Sequence, residues 1–246
     1  MPLAERTRSF RRAVVLTGAG ISASAGLPTY RGAGGLWNKD PELARSLAAG
    51  VDPSVVWRAL GLFRTDVRRA EPTRAHRALA SFEHAMAAAG GTVTIITQNI
   101  DGLHQRAGSK NVVELHGNLH RTRCSNDACD LPPFDDEDAH TSAPPCPRCG
   151  SKLRLAIVLF EEALGPDEER NAKHALRDCD LFLAIGTSGT VWPAANFVRS
   201  AAYEGAHTIC VNLGPLPGEE ADAMNPSFAE VILGAADDVV PALLAQ

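Results

Sequence analysis

Apolar and polar residues fall into blocks along the 246-residue chain. Residues 13–17 (AVVLT) are a short, mainly apolar run that stops at Gly18, Ala19 and Gly20. Such a run, bounded by a glycine turn, predicts a strand buried on both faces, with a helix starting at Ile21. Residues 92–97, 180–185, 207–211 and 231–233 repeat the pattern, and 112–115 and 157–160 are shorter extended pieces. The segments between them predict helices over 41–50, 53–70, 72–89, 166–177, 193–203 and 237–244, several with proline near the start. Strand alternating with helix predicts an α/β fold with a mainly parallel sheet covered on both faces. No internal repeat is apparent.

Several of these strands end in glycine or polar residues: at Gly18, Gln98, Gly186 and Asn212. Open parallel sheets place their ligands at such strand ends, and strand, glycine turn, helix suits a phosphate. The stretch 97–117 is the densest, with Gln98, Asn99, Asp101, His104 and His116. The dinucleotide fingerprint is only partly met, because Ala23 stands at its third glycine. No second strand with an acidic residue about 20 positions on follows, as a dehydrogenase would require. The loop 26–40 is glycine-rich and carries Tyr30, Arg31 and Trp37, which suits a lid or a linker.

Charge and composition narrow the class. The net charge of −5 argues weakly against a nucleic-acid partner. No run approaches the roughly 18 apolar residues of a membrane span, and the first residues do not read as a signal peptide. Cytoplasmic placement is the expectation, and with it thiols or metal ligands rather than disulfides. Cys124 and Cys129, then Cys146 and Cys149, form two close pairs around a proline-rich, acidic segment too poor in apolar residues to fold alone. Four thiolates predict a closed, structural zinc site. Cys179 and Cys210 sit beside strand runs and read as core. His104, His120, His76, His84, His140, His174 and His207 carry no partner pattern and read as structural.

The ordered combination of Gly18-Ala19-Gly20-Ile21-Ser22, Pro28-Thr29-Tyr30-Arg31, Thr97-Gln98-Asn99-Ile100-Asp101, His116-Gly117, the four cysteines, Gly186-Thr187-Ser188 and Asn212 resembles the sirtuins, the NAD-dependent protein-lysine deacylases. The resemblance implies a Rossmann-like large domain (1–35, 92–120 and 156–246), a helical module with the cofactor loop (36–91) and a zinc module (121–155). NAD and acyl-lysine proteins or peptides would meet in the cleft between the domains, giving nicotinamide, O-acyl-ADP-ribose and free lysine. By the same resemblance His116 is the general base. Gly18, Ala19, Gly20, Ser22, Tyr30, Arg31 and Trp37 line the diphosphate and nicotinamide-ribose region. Gln98 reaches the ribose, Asn99 and Ile100 line the nicotinamide pocket, and Asp101 holds the carboxamide. Gly186, Thr187 and Ser188 face phosphate. Asn212, Leu213, Gly214 and Ala236 hold the adenosine end. The substrate would touch Ala33, Leu60, Phe63, Val158, Phe160, Glu161 and Val191, its backbone pairing with the strand at 157–160 and with 189–191.

Two departures from the family pattern bear on the substrate. Leu60 and Phe63 stand where members that remove succinyl groups carry a Tyr-x-x-Arg pair, so an acyl carboxylate would have no ionic partner. Small Ala33 and this apolar pair suit acetyl or longer apolar acyl groups. Glu161 replaces a family glycine, which there supplies an unusual backbone angle or leaves room for the peptide. Competing readings are mono-ADP-ribosyl transfer and a zinc-ribbon binding protein with a silent nucleotide domain. The oligomeric state is open, and a monomer would suffice.

Overall fold

The computed structural model describes residues 2–3, 10–29, 35, 40–136, 138, 140–216 and 228–245, with the side chains of Ala44 and Leu62 left out. Its large domain is built on β1 (Arg12–Thr17), β2 (Thr92–Thr97), β3 (Val112–Glu114), β7 (Leu181–Ile185), β8 (His207–Asn212) and β9 (Glu230–Leu233). They form one sheet in the order β3-β2-β1-β7-β8-β9, and every adjacent pair is parallel. Chain order therefore runs outward in one direction from β1 and in the other from β7. That is the dinucleotide-fold order, with its switch point between β1 and β7.

Both faces of the sheet are covered, as the unbroken apolar runs require. Val15, Ile95, Leu183 and Ile209 pack on one face with Leu79, Phe82, Val240 and Leu243. The last four come from helices Arg74–Ala88 and Ala236–Leu244. Val14, Leu16, Phe182 and Ala184 pack on the other with Leu176, Phe197 and Val198, from helices Pro166–Leu176 and Phe197–Tyr203. Cys179 and Cys210 are both 1% exposed in this second layer, as core residues should be.

A smaller domain stands on the strand ends. It joins a three-stranded antiparallel sheet, β5-β4-β6, to helices Pro41–Ser46 and Pro53–Arg69. Here β4 is Gly117–Cys124, β5 is Phe134–Asp135 and β6 is Leu153–Ile157. The two parts lock through a buried polar clamp. Trp57 donates its indole N–H to the Leu153 carbonyl at 3.0 Å. Arg64 lies over the Trp57 ring, 5.3 Å from its centroid, and donates to the Asp138 carbonyl at 2.7 Å. No described helix is long and apolar enough to cross a membrane.

Several expected elements shift. The strand expected over 157–160 is not one. β6 ends at Ile157, and Phe160 makes only an isolated bridge to Ala48. Beyond Ile157 the run buries Leu159 but leaves Phe160 exposed, and it does not pair in a ladder. The expected helix from Ile21 is a 3-10 helix, Ala19–Ala25, closed by Gly26 at φ 81°. The helix over 41–50 stops at Ser46, and 193–203 splits into a 3-10 turn (Ala194–Asn196) and an α-helix. β4 and β5 carry no strong apolar alternation and were not expected.

Candidate active site

A cleft of about 1270 Å³ opens at the switch point, between the sheet's carboxyl ends and the smaller domain. Of the residues expected at the site, it is lined by Gly18, Ala19, Gly20, Gln98, Asn99, Ile100, His116, Gly186, Thr187, Ser188, Asn212, Leu213, Gly214 and Ala236. From the substrate set, Leu60, Val158, Phe160, Glu161 and Val191 line the same cleft. Ser22, Asp101 and Phe63 do not. They border a small side pocket that shares Ala19, Asn99 and Ile100 with it. Tyr30, Arg31, Ala33 and Trp37 lie outside the described residues.

Three glycines let the turns after β1 and β7 interlock. Gly18 N–H donates to Ile185 O at 3.0 Å, and Gly20 N–H to Gly186 O at 2.9 Å. A Cβ on Gly18 would meet Gly186 O at 2.7 Å, one on Gly20 would meet Gly186 Cα at 2.7 Å, and one on Gly186 would meet the Ile21 nitrogen at 2.6 Å. These glycines thus serve close backbone approach, and they leave the 3-10 helix opening towards the cleft, an arrangement suited to an anion.

Behind this turn lies a buried polar chain. Asn99 donates from Nδ2 to Gly18 O (3.1 Å) and Ser22 Oγ (3.2 Å), and Ser22 donates to Asp101 Oδ2 at 2.7 Å. Asp101 Oδ1 accepts from Leu103 N–H at 2.9 Å, at the start of the short helix Leu103–Arg106. Asn99 and Asp101 are each 5% exposed, so their geometry is fixed before any ligand arrives. Gln98 donates to Thr187 Oγ1 at 3.0 Å and Asn212 to Thr187 O at 3.1 Å, which ties the ends of β2, β7 and β8 together.

His116 sits between β3 and β4. Its Nδ1 is 2.8 Å from the Gln98 carbonyl oxygen. A carbonyl only accepts, so Nδ1 carries the proton and Nε2 is left with the lone pair. Burial pushes the imidazole pKa below its ordinary value, with the Gln98 contact opposing. The ring is thus neutral and basic at neutral pH. Gly117, at φ 78°, makes the turn beside it, and a Cβ there would run into the Ala156 carbonyl.

Leu47 and Trp192 are cleft residues that the sequence reading did not name. Leu47 lines it because Phe160 N–H donates to Leu47 O at 2.9 Å, a contact across 113 positions that no local pattern marks. Trp192 also lines it and is 70% exposed, and the Trp192-Pro193 pair was the available signal. Conversely, His104 and His76 form a buried edge-to-face pair with centroids 4.6 Å apart, behind the cleft. His104 Nε2 is 2.9 Å from Thr17 Oγ1. Neither lines the cleft or the side pocket.

The four cysteine sulfurs all lie within 4.8 Å of one another. Cys124 and Cys149 are 3.5 Å apart and Cys129 and Cys146 3.9 Å. A tetrahedron with Zn–S bonds of about 2.3 Å has edges of about 3.8 Å. Asn126 and Arg148 direct backbone N–H groups at Cys124 and Cys146, each at 3.4 Å, which stabilises thiolates. The set fits structural zinc, with no ligand position left for chemistry.

With this geometry in place, comparison with known proteins decides the family. Residues 18–193 match the model of the Sir2 family. The chain belongs to the Sir2 family. A relative described as NAD-dependent protein deacylase 2, from Pyrobaculum aerophilum, is 41% identical over 248 residues, covering 100% of this chain and 95% of its own. A solved Sir2 homolog–NAD complex superposes with a TM-score of 0.83 at 37% identity, covering 96% of this chain and 89% of that one. A Sir2 complex with a deacetylated peptide and 3′-O-acetyl-ADP-ribose gives a TM-score of 0.80 at 29% identity, covering 96% and 93%. As a Sir2-family member the chain is an NAD-dependent protein deacylase, and the four-cysteine cluster is its zinc site.

Proposed function

We propose that the reaction is removal of acetyl, in preference to acidic acyl groups, from lysines of proteins or peptides, with His116 as general base. The carrying observation is the Nδ1 contact to Gln98, which leaves Nε2 of a neutral imidazole as the acceptor beside the cleft. NAD, when bound, supplies a ribose carbon made electrophilic by its bond to nicotinamide. Every further role belongs to the chain. His116 takes a ribose hydroxyl proton at Nε2. Asn99 and Asp101, rigid in their hydrogen-bonded chain, hold the nicotinamide end through capacity their present partners leave spare. The turn at Gly18 and Gly20, with Ser188, takes the diphosphate, and Asn212 the adenine ribose. Tyr30 and Arg31 lie outside the described residues, and the resemblance gives them the diphosphate and nicotinamide-ribose region and the exclusion of water.

The described lining supports the acyl preference. Leu47, Leu60, Ile157, Leu159 and Phe160 are apolar, and no lysine or arginine is among the described lining residues. Of the two positions expected to contact the acyl group, Leu60 borders the cleft and Phe63 the side pocket. The division at 1–35, 92–120 and 156–246, with 36–91 and 121–155 as modules, goes with this reading, except that Leu79 and Phe82 of helix Arg74–Ala88 pack on the large sheet, and Leu103, Leu119 and Leu159 pack with Leu47 and Trp57 of the helical module. The negative net charge supports a role without a nucleic-acid partner.

The test is incubation with NAD and acetyl-lysine or succinyl-lysine peptide, with mass spectrometry of the products. O-acetyl-ADP-ribose is expected, with succinyl turnover slower by about 10-fold or more, the effect of an unpaired carboxylate in an apolar site. ADP-ribose attached to protein without deacetylation, or succinyl turnover as fast as acetyl, would reject the reading.

A further inference from the structure

The segment after β6 ends in a tight turn. Glu162 N–H donates to Leu159 O at 3.1 Å, which makes Phe160 and Glu161 its central residues. Glu161 has φ 67°, the left-handed region, at a turn position that favours glycine or asparagine. The surroundings enforce this conformation. Phe160 N–H donates to Leu47 O (2.9 Å), and Ala49 N–H to Phe160 O (2.7 Å). Leu159 N–H donates to the Glu162 carboxylate at 2.9 Å, and Arg154 holds that carboxylate with contacts of 2.7 and 2.9 Å. The angle that glycine would supply is thus present, and a glutamate bears it. Strain of this kind persists where the neighbours over-determine it, and it clusters at sites of function.

The charge placed there is exposed and faces the cleft. Three carboxylates are among the described lining residues: Glu161, Glu162 and Glu169. Arg154 neutralises Glu162, and Lys173 lies 2.6 Å from Glu169. Among the described residues Glu161 makes no ion pair.

We propose that Glu161 is a specificity-determining residue that favours acyl-lysine peptides carrying arginine or lysine beside the acyl-lysine and disfavours those carrying acidic residues there. The inference rests on the reading of this cleft as the acyl-lysine site. An extended peptide running past 158–162 and 189–191 directs alternate side chains to opposite walls, so a flanking residue comes to the Glu161 turn. An arginine there gains a carboxylate partner, while a glutamate meets like charge. The angle explains why the exchange is tolerated, and the carboxylate is what the exchange adds.

The experiment uses the full chain and two fluorescein-labelled acetyl-lysine peptides that differ only in arginine or glutamate on both sides of the acetyl-lysine. Kd is read by anisotropy and kcat/KM with NAD, at low and high salt. The wild type is expected to favour the arginine peptide about 2- to 5-fold in Kd at low salt, the range of exposed ion pairs, with less preference as salt rises. Glu161→Gln is expected to erase the preference and Glu161→Lys to invert it. Glu161→Gly removes charge and strain together, and is expected to melt higher while losing the preference equally. The same preference in wild type and Glu161→Gln overturns the proposal, as does absence of binding by either peptide. A preference in Kd that follows the Glu161 charge, without turnover of either peptide, upholds the proposal and rejects the deacetylase reading instead.

Discussion

His116 holds its Nδ1 2.8 Å from the carbonyl oxygen of Gln98, at the end of the neighbouring strand. The contact fixes both tautomer and ring direction, while burial lowers the imidazole pKa. Catalysis by a neutral base is lost as the ring protonates. The acid limb of kcat/KM against pH is therefore expected below the ordinary histidine value of about 6.5. His116→Ala is expected to cut kcat about 10²- to 10⁴-fold with NAD affinity kept. An acid limb at or above the ordinary value would contradict the burial argument.

The interlocked turns at the switch point make a stability prediction. Gly20→Ala puts a Cβ 2.7 Å from backbone at Gly186, which no side-chain rotation relieves. A cost of about 1–3 kcal/mol is expected by urea titration. Gly186→Ala should cost more, because its φ of 61° adds left-handed strain. Gly214→Ala, on the same rim with nothing within 4 Å of a Cβ, is the comparison and should unfold near the wild-type midpoint.

Zinc is expected at one ion per chain by elemental analysis. Cys146→Ser, or prolonged chelation, should release it and lower the melting temperature by about 10 °C. The loss should reach the cleft, since β6 both packs beside Cys146 and receives the Trp57 hydrogen bond at Leu153. Unchanged melting after complete zinc removal would show that the clamp at Trp57 and Arg64 suffices without the metal.

His76 and His104 give the protein an acid sensitivity separate from catalysis. Burial pushes His76 down to about 4, with Asp101 and Asp237 opposing, and takes His104 well below its usual value. The unfolded chain therefore binds protons before the folded one does. Stability is full above about 6.5 and falls as pH drops towards 4. Urea midpoints at pH 7.5 and 4.5 measure this, and equal midpoints would refute it. His104→Leu should reduce the difference.

The large domain was legible because its strands are buried on both faces, and unbroken runs such as 181–185 leave no other reading. The zinc ligands were legible from spacing alone. The strand expected at 157–160 was not, because an apolar run signals burial and not hydrogen-bond partners. There the chain turns at Glu161 and pairs with Leu47 and Ala49 instead. Leu60 and Phe63 looked equivalent at three positions' spacing, yet they border different cavities.

The sequence by itself determined the parallel sheet, the glycine turns and the set of four cysteines, because each depends on residue type at short range. Only the tertiary structure decided what those residues can do. The tautomer of His116 depends on a carbonyl 18 positions away, and the interlock of Gly20 with Gly186 on a strand order that spans the chain. Glu161 shows both limits. Its departure from the family pattern was visible in the sequence, while its left-handed backbone and its place on the cleft rim come from contacts made only in the folded chain.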